Sequence, residues 1–105
     1  WGKRAHWCDY SGLVNDKVVG ITLFDHNKNF RHPTYWHSRN YGLMTANPFG
    51  LSVFEGSEYN GEYNLRAGDS LRFRYRIYIH KRDATGGNVA EKYHNYVNPP
   101  TVTVI

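Results

Sequence analysis

The chain has 105 residues and a formal net charge of +4, and 16% of its residues are aromatic while 21% are charged. A chain of this length is too short for more than one ordinary domain, and its aromatic content is too high for a disordered chain. No run approaches the roughly 20 apolar residues of a membrane-spanning helix, and the single cysteine, Cys8, excludes an internal disulfide.

The N-terminal part predicts a β-hairpin. Residues Lys3–Leu13 have a strand-like pattern, and Val18–Phe24 is rich in β-branched and apolar side chains. Asn15 and Asp16 lie between these runs and tolerate positive φ, which a tight hairpin turn requires. The second strand is expected to point three apolar residues to one face: Val19, Ile21 and Leu23.

The segment from Asp25 to Gly50 interrupts the alternation. Pro33 fixes φ and removes a backbone donor, so no helix is expected through it, and Thr34–His37 is predicted as a short strand. Many ionisable and amide side chains are concentrated here within fifteen residues: Asp25, His26, Asn29, Arg31, His32, Trp36, His37 and Arg39. We therefore predict that this segment is the binding or catalytic edge of a β-domain.

The C-terminal half contains the clearest strand, Ser70–His80. Apolar Leu71, Phe73, Tyr75, Ile77 and Ile79 alternate there with polar residues. Asn88–Tyr96 is predicted as a helix with Asn88 as its cap. Weaker strands are predicted at Leu51–Phe54, Glu62–Leu65 and Thr101–Ile105. Together the elements predict an all-β antiparallel sandwich with one short helix, as one domain over residues 1–105.

The histidines are the first candidate chemistry. His26, His32 and His37 share the central segment with Asp25, and imidazole with carboxylate is a common zinc ligand set. The spacing matches no established zinc motif, however, so histidines that form hydrogen bonds are favoured and no metal site is predicted. Zinc remains the alternative.

The second candidate is the run Trp36-His37-Ser38-Arg39. An indole beside an imidazole and a guanidinium offers a flat stacking surface and forked donors for a sugar. In the alternative, Trp36 is a core residue and Arg39 neutralises Asp25. The sequence leaves both open.

The third candidate is the row Arg72, Arg74 and Arg76. Neighbours on one face of a strand lie roughly 7 Å apart, so the guanidiniums repel one another unless anions or aromatic rings lie over them. A solvent-facing ladder is favoured over a groove for phosphates, since Tyr78 is the only aromatic residue on that face. Nucleic acid is therefore a disfavoured partner.

Several motifs carry a resemblance to a known family: W-C-D-Y-S-G at Trp7–Gly12, N-x-R-H-P-T-Y-W-H-S-R at Asn29–Arg39, N-P-F-G at Asn47–Gly50 and R-Y-R-I-Y-I-H at Arg74–His80. On these the chain resembles a bacterial PmoA-like family that carries a "methane oxygenase" label and is otherwise a domain of unknown function. The resemblance implies a longer protein of which this chain is the C-terminal part. It further implies a mutarotase-like β-sandwich, genomic company with carbohydrate-degrading enzymes, and a periplasmic or secreted location.

We therefore expect a β-sandwich that binds a carbohydrate or glycoside and processes it in a cleft of the central segment. Asp25 would orient a histidine, and His37 and His80 would transfer protons. The residues expected to hold the ligand are His26, Asn29, Arg31, Trp36, Arg39 and Asn47. The alternatives are a non-catalytic module with a buried polar network and a metal-dependent oxidoreductase. A missing N-terminal half, or self-association through open strand edges, is the expected protein partner.

Overall fold

The computed structural model describes residues 1–104. These residues form six strands and two helices: β1 (Lys3–Arg4), β2 (Trp7–Val14), β3 (Lys17–Asp25), β4 (Tyr35–Arg39), β5 (Leu43–Asn47), α1 (Leu51–Glu55), β6 (Tyr75–Lys81) and α2 (Val89–Val97). The strands make two antiparallel sheets, ordered β1-β4-β5 and β2-β3-β6. The all-β antiparallel class predicted from sequence is confirmed.

The predicted hairpin is formed by β2 and β3. Its register runs from Trp7 opposite Phe24 to Val14 opposite Lys17. Asn15 and Asp16 make the turn with φ of 49° and 63°, the left-handed region that their short polar side chains tolerate. Local sequence therefore determined this element.

The second sheet adjoins the first through β2 and β4. The predicted strand at Thr34–His37 is β4, shifted to Tyr35–Arg39. The Tyr10 hydroxyl donates to the Arg39 carbonyl at 2.7 Å, and the Trp36 indole donates to the Ala5 carbonyl at 2.9 Å. Trp36 is only 4% exposed, so it is a core residue of this junction.

The strand predicted from Ser70 begins only at Tyr75, which corrects the sequence prediction. The backbone of Arg74 is held by one side chain, because Asn29 Nδ2 donates to its carbonyl and Asn29 Oδ1 accepts from its N–H, both at 2.7 Å. The residues before it form no strand. Of the predicted arginine row, only Arg76 lies in a strand, and its guanidinium covers the ring of Tyr96 at 4.5 Å.

The two faces of the β2-β3-β6 sheet differ in burial. One face packs against α2, where Phe24, Val89 and Tyr93 form the buried cluster. In β6 the alternation is as predicted, but its isoleucines occupy the open face, where Ile77 is 63% and Ile79 77% exposed. The sheet is therefore covered on the face that carries Tyr78 and His80.

Other predicted elements differ in type or do not form. Leu51–Phe54 is helical within α1 rather than a strand, and no strand forms at Glu62–Leu65 or at 101–104, while Ile105 lies outside the described residues. The predicted helix is present as α2, although Asn88 makes no side-chain capping bond. No helix within residues 1–104 is long and apolar enough to cross a membrane.

Candidate functional site

Asp25 is the centre of a buried polar network at the end of β3. Its side chain is 1% exposed. Asn29 Nδ2 donates to Oδ1 at 2.7 Å, and Oδ2 accepts from His32 Nδ1 at 2.6 Å and from the Thr34 N–H at 3.1 Å. Three donors therefore replace water around this carboxylate, and a buried charge requires such hydrogen-bond partners.

The partner that Asp25 orients is His32. Because Nδ1 donates to the carboxylate, the lone pair of the neutral ring lies on Nε2. Nε2 is 3.5 Å from the Tyr93 hydroxyl, but that hydroxyl donates to the Asp25 carbonyl at 2.8 Å. The ring of His6, an exposed residue, lies 4.8 Å from that of His32. An oriented imidazole with a free lone pair is the arrangement of a general base.

Tyr93 remains a donor in this network. Burial, followed by the charge of Asp25 and by Tyr96, raises its pKa to about 12. The phenol therefore keeps its proton at neutral pH. Its bond to the Asp25 carbonyl fixes the helix α2 against the end of β3.

His80 belongs to a second, separate network. Its Nε2 pairs with Asp9 Oδ1, which also accepts from the Thr22 hydroxyl, while Nδ1 lies 3.1 Å from the Lys81 carbonyl. Burial, the largest influence, lowers the pKa of His80, but the bond to Asp9 and the backbone carbonyls of Lys81 and Arg82 raise it by more, so the net shift is upward.

Asp25 and His80 lie far apart along the sheet. Gly20 pairs with His80 and Asp25 pairs with Tyr75, so five strand residues, about 17 Å, separate His80 from Asp25. The predicted convergence of Asp25, His37 and His80 is therefore absent from the described residues. His37 lies instead on β4, with its ring 5.3 Å from that of Trp1.

A cleft of about 540 Å³ opens between β2 and β4. Trp1 is 44% exposed there, and the Arg39 guanidinium lies 4.3 Å from its ring centre. Asp9 also lines the cleft, but its side chain is only 5% exposed. The lining residues are Trp1, Asp9, Tyr10, Ser11, Ser38, Arg39 and Asn40. Aromatic, cationic, hydroxyl and amide groups therefore meet in one depression.

A larger cleft of about 680 Å³ lies around residues 60–64. Its walls include Phe49, Tyr63 and Glu62, and no lysine, arginine or histidine lines it. The larger cleft therefore lacks a cation such as Arg39, which lines the cleft at Trp1. It also lacks an imidazole such as that of His37, which contacts Trp1.

The remaining predicted ligand residues have structural contacts. Arg31 donates to the carbonyls of Pro48, Gly61 and Glu62, and Asn47 Oδ1 accepts from the Phe49 N–H at 3.0 Å. His26 Nδ1 accepts from the Lys28 N–H. Burial, then the charges of Arg74 and Lys28, lower the pKa of His26.

Sequence reasoning missed three participants. Tyr93 lies 68 residues from Asp25 along the chain, and neither its helix nor its spacing indicated the contact. Trp1 is an isolated terminal aromatic residue, whereas Asp9 lies in an alternating strand. His32, by contrast, carried a signal in the sequence, since it shares the segment of Asp25 and precedes Pro33.

The described residues do not form a metal centre. Within 1–104, no three histidine, cysteine, aspartate or glutamate side chains are grouped closely enough to hold an ion. The Asp25 and Asp9 networks each contribute one carboxylate and one bonded imidazole. The donor sets therefore do not fit the zinc alternative.

One comparison with known proteins gives a match. A family model described as "Family of unknown function (DUF6807)" matches residues 1–94. No curated protein and no solved structure matches the chain.

Proposed function

Because the match covers most of its length, the chain belongs to this family of unknown function, and for it we propose carbohydrate binding in the cleft at Trp1. The observation that carries the proposal is the meeting of an exposed indole and a guanidinium in one depression of about 540 Å³. This volume accommodates a ligand of one or two sugar rings.

The Trp1 side of the cleft provides the stacking surface. Sugar rings present apolar C–H faces that pack on an indole, and Trp1 is 44% exposed. The Arg39 guanidinium lies over the ring, 4.3 Å from its centre, so its N–H donors are next to the stacking surface. This pairing takes the place of the one predicted around Trp36, which is buried.

The polar wall of the cleft provides further hydrogen-bonding groups. The Asp9 side chain is only 5% exposed, and its Oδ1 is bonded to His80 and Thr22, so the hydroxyl and amide groups of this wall are the partners for sugar hydroxyls. Asn40 and Ser38 line the same wall. A guanidinium opposite such acceptors favours saccharides with a carboxylate, since Arg binds carboxylates through two parallel bonds.

The test is calorimetric titration with two sets of oligosaccharides: glucuronic and galacturonic acid oligomers, and neutral glucose oligomers. We expect saturable binding of the acidic set, weakened tenfold or more by Trp1→Ala and by Arg39→Ala. Tyr59→Ala and Arg66→Ala serve as controls, because these exposed residues do not line the cleft. Absence of binding to either set, or binding unchanged in Trp1→Ala, would refute the proposal.

A second candidate function, proton transfer, is supported by the Asp25–His32 pair. Its free Nε2 next to His6 suits a general base in a hydrolase, lyase or epimerase step on a glycoside. The assay is turnover of uronide and glycoside substrates by the wild type, by His32→Gln and by His94→Gln, an exposed histidine outside the network. Turnover lost only in folded His32→Gln supports catalysis, while turnover equal in all three contradicts it.

Two further alternatives remain from the sequence. In a non-catalytic module the Asp25 network would serve only stability. This alternative predicts no turnover, and it predicts that every variant in the network lowers the free energy of unfolding. A metal-dependent oxidoreductase, as the PmoA-like resemblance implies, would need ligands beyond those that residues 1–104 group together. Elemental analysis of purified protein tests it.

A further inference from the structure

The outer edge of β6 is open. The strand order β2-β3-β6 places β6 at the edge of its sheet, paired only with β3. No other backbone group within residues 1–104 bonds to this edge of Tyr75–Lys81. The opposite edge strand, β2, differs, because it lies beside β4 and Tyr10 bonds to Arg39 there.

β6 has only part of the protection that natural edges carry. Its seven residues, Y-R-I-Y-I-H-K, include no proline and no glycine. An edge strand is usually blocked by proline, a bulge or an inward-pointing charge. Arg76 lies over Tyr96 and His80 is bonded to Asp9 on the covered face, and Lys81 is the last residue of the strand. The open face therefore presents Ile77 and Ile79, which are 63% and 77% exposed.

We propose that β6 pairs antiparallel with β6 of a second copy of this chain, with Tyr78 at the twofold axis. In this register Ile77 lies opposite the partner's Ile79, and the reciprocal pair forms by symmetry. Each Lys81 lies opposite the partner's Tyr75. The two sheets become one continuous sheet whose open face carries the isoleucines of both copies.

This register keeps the ammonium groups of the two copies apart. The chain carries +4, so association requires that its cations stay apart. The two Lys81 residues are separated by six strand positions, about 20 Å, which exceeds the roughly 8 Å screening length at physiological salt. Arg76 lies opposite the partner's His80, but its guanidinium is held over Tyr96.

The association is tested by sedimentation equilibrium of the whole chain from roughly 1 μM to 200 μM. We expect a monomer–dimer equilibrium that Ile79→Lys weakens at least tenfold. Leu13→Lys is the matched control, because Leu13 is 74% exposed in the same sheet but outside β6. A monomer over the whole range, or a dimer that Ile79→Lys leaves unchanged, would overturn the proposal.

The register is tested by disulfide trapping in a Cys8→Ser background. In the proposed pairing, directly opposite residues have Cα atoms about 4.5–5.5 Å apart, which is within disulfide reach. The two copies of position 77 lie diagonally instead, with Cα atoms about 8 Å apart, and so do the two copies of position 79. This exceeds the roughly 7 Å beyond which two cysteines cannot be bridged without backbone movement.

We therefore expect the double variant Ile77→Cys with Ile79→Cys to form a covalent dimer on mild oxidation. An equimolar mixture of the two single variants should also crosslink, whereas each single variant alone should remain uncrosslinked. Crosslinking of a single variant alone to the same extent as the mixture would overturn the register.

Discussion

Removal of the Asp25 carboxylate should strongly destabilise the fold. Asp25→Ala leaves the donors of Asn29, His32 and Thr34 without their acceptor. Breaking a buried charged network of this kind costs about 3–5 kcal/mol. A chain of this size has a free energy of unfolding of roughly 5–15 kcal/mol in total, so the variant should lose a large fraction of it.

Asp25→Asn should cost less, about 1–3 kcal/mol, for a specific reason. The amide keeps one oxygen for His32 and Thr34 but turns its NH₂ group toward the NH₂ group of Asn29. Asn29 cannot rotate to relieve this, because both ends of its amide are bonded to the backbone of Arg74. The free energy of unfolding should therefore decrease in the order wild type, Asp25→Asn, Asp25→Ala.

The assay is urea unfolding followed by circular dichroism and fluorescence, with Asp69→Ala as the control, since Asp69 is exposed. The midpoint should fall with an unchanged m-value, and the thermal midpoint of Asp25→Ala should fall by at least about 15 °C. A loss within about 0.5 kcal/mol for Asp25→Ala, equal to the control, would refute the network as described.

Two other predictions concern His80. Gly20→Ala should cost about 1–3 kcal/mol of unfolding free energy, because its Cβ would overlap the His80 ring; Gly12→Ala, which meets nothing within 4 Å, should be near neutral in the same thermal melts. The pKa of His80 is higher in the folded than in the unfolded protein. The pair of protonated His80 with Asp9 therefore stabilises the fold fully at pH values below the unfolded-state pKa. This stabilisation is lost as the pH rises through the folded-state pKa. The stability gap between wild type and His80→Asn should therefore be larger at about pH 5.5 than at about pH 8.5; a gap that is constant or grows with pH would contradict the assignment.

The hairpin and the helix were predictable because their signals are local. Asn15 and Asp16 favour the turn, and the apolar spacing of α2 lies within one element. The start of β6 was not predictable, since the side chain of Asn29, 45 residues away, holds the backbone of Arg74. Leu51–Phe54 is a short apolar run, and such runs do not separate helix from strand.

For the two proposed sites, the sequence indicated a type of chemistry but not the residues that the structure brings together. The sequence indicated that Asp25 orients a histidine, and the segment contained His32, yet period and spacing could not select it over His37 or His80. The indole-and-guanidinium pair was expected around Trp36. Trp36 is instead buried, with its indole bonded to the Ala5 carbonyl. The indole beside the Arg39 guanidinium is that of Trp1, and the pairing of β1 with β4 brings these two residues together.

The proposed ligand site can be tested most directly by following the three tryptophan indole N–H resonances during titration with an oligouronide. We predict a saturable shift of the Trp1 resonance together with the side-chain N–H of Arg39, while the buried Trp36 resonance stays in place. Saturable shifts confined to other residues, or no shift at any concentration, would contradict carbohydrate binding in this cleft.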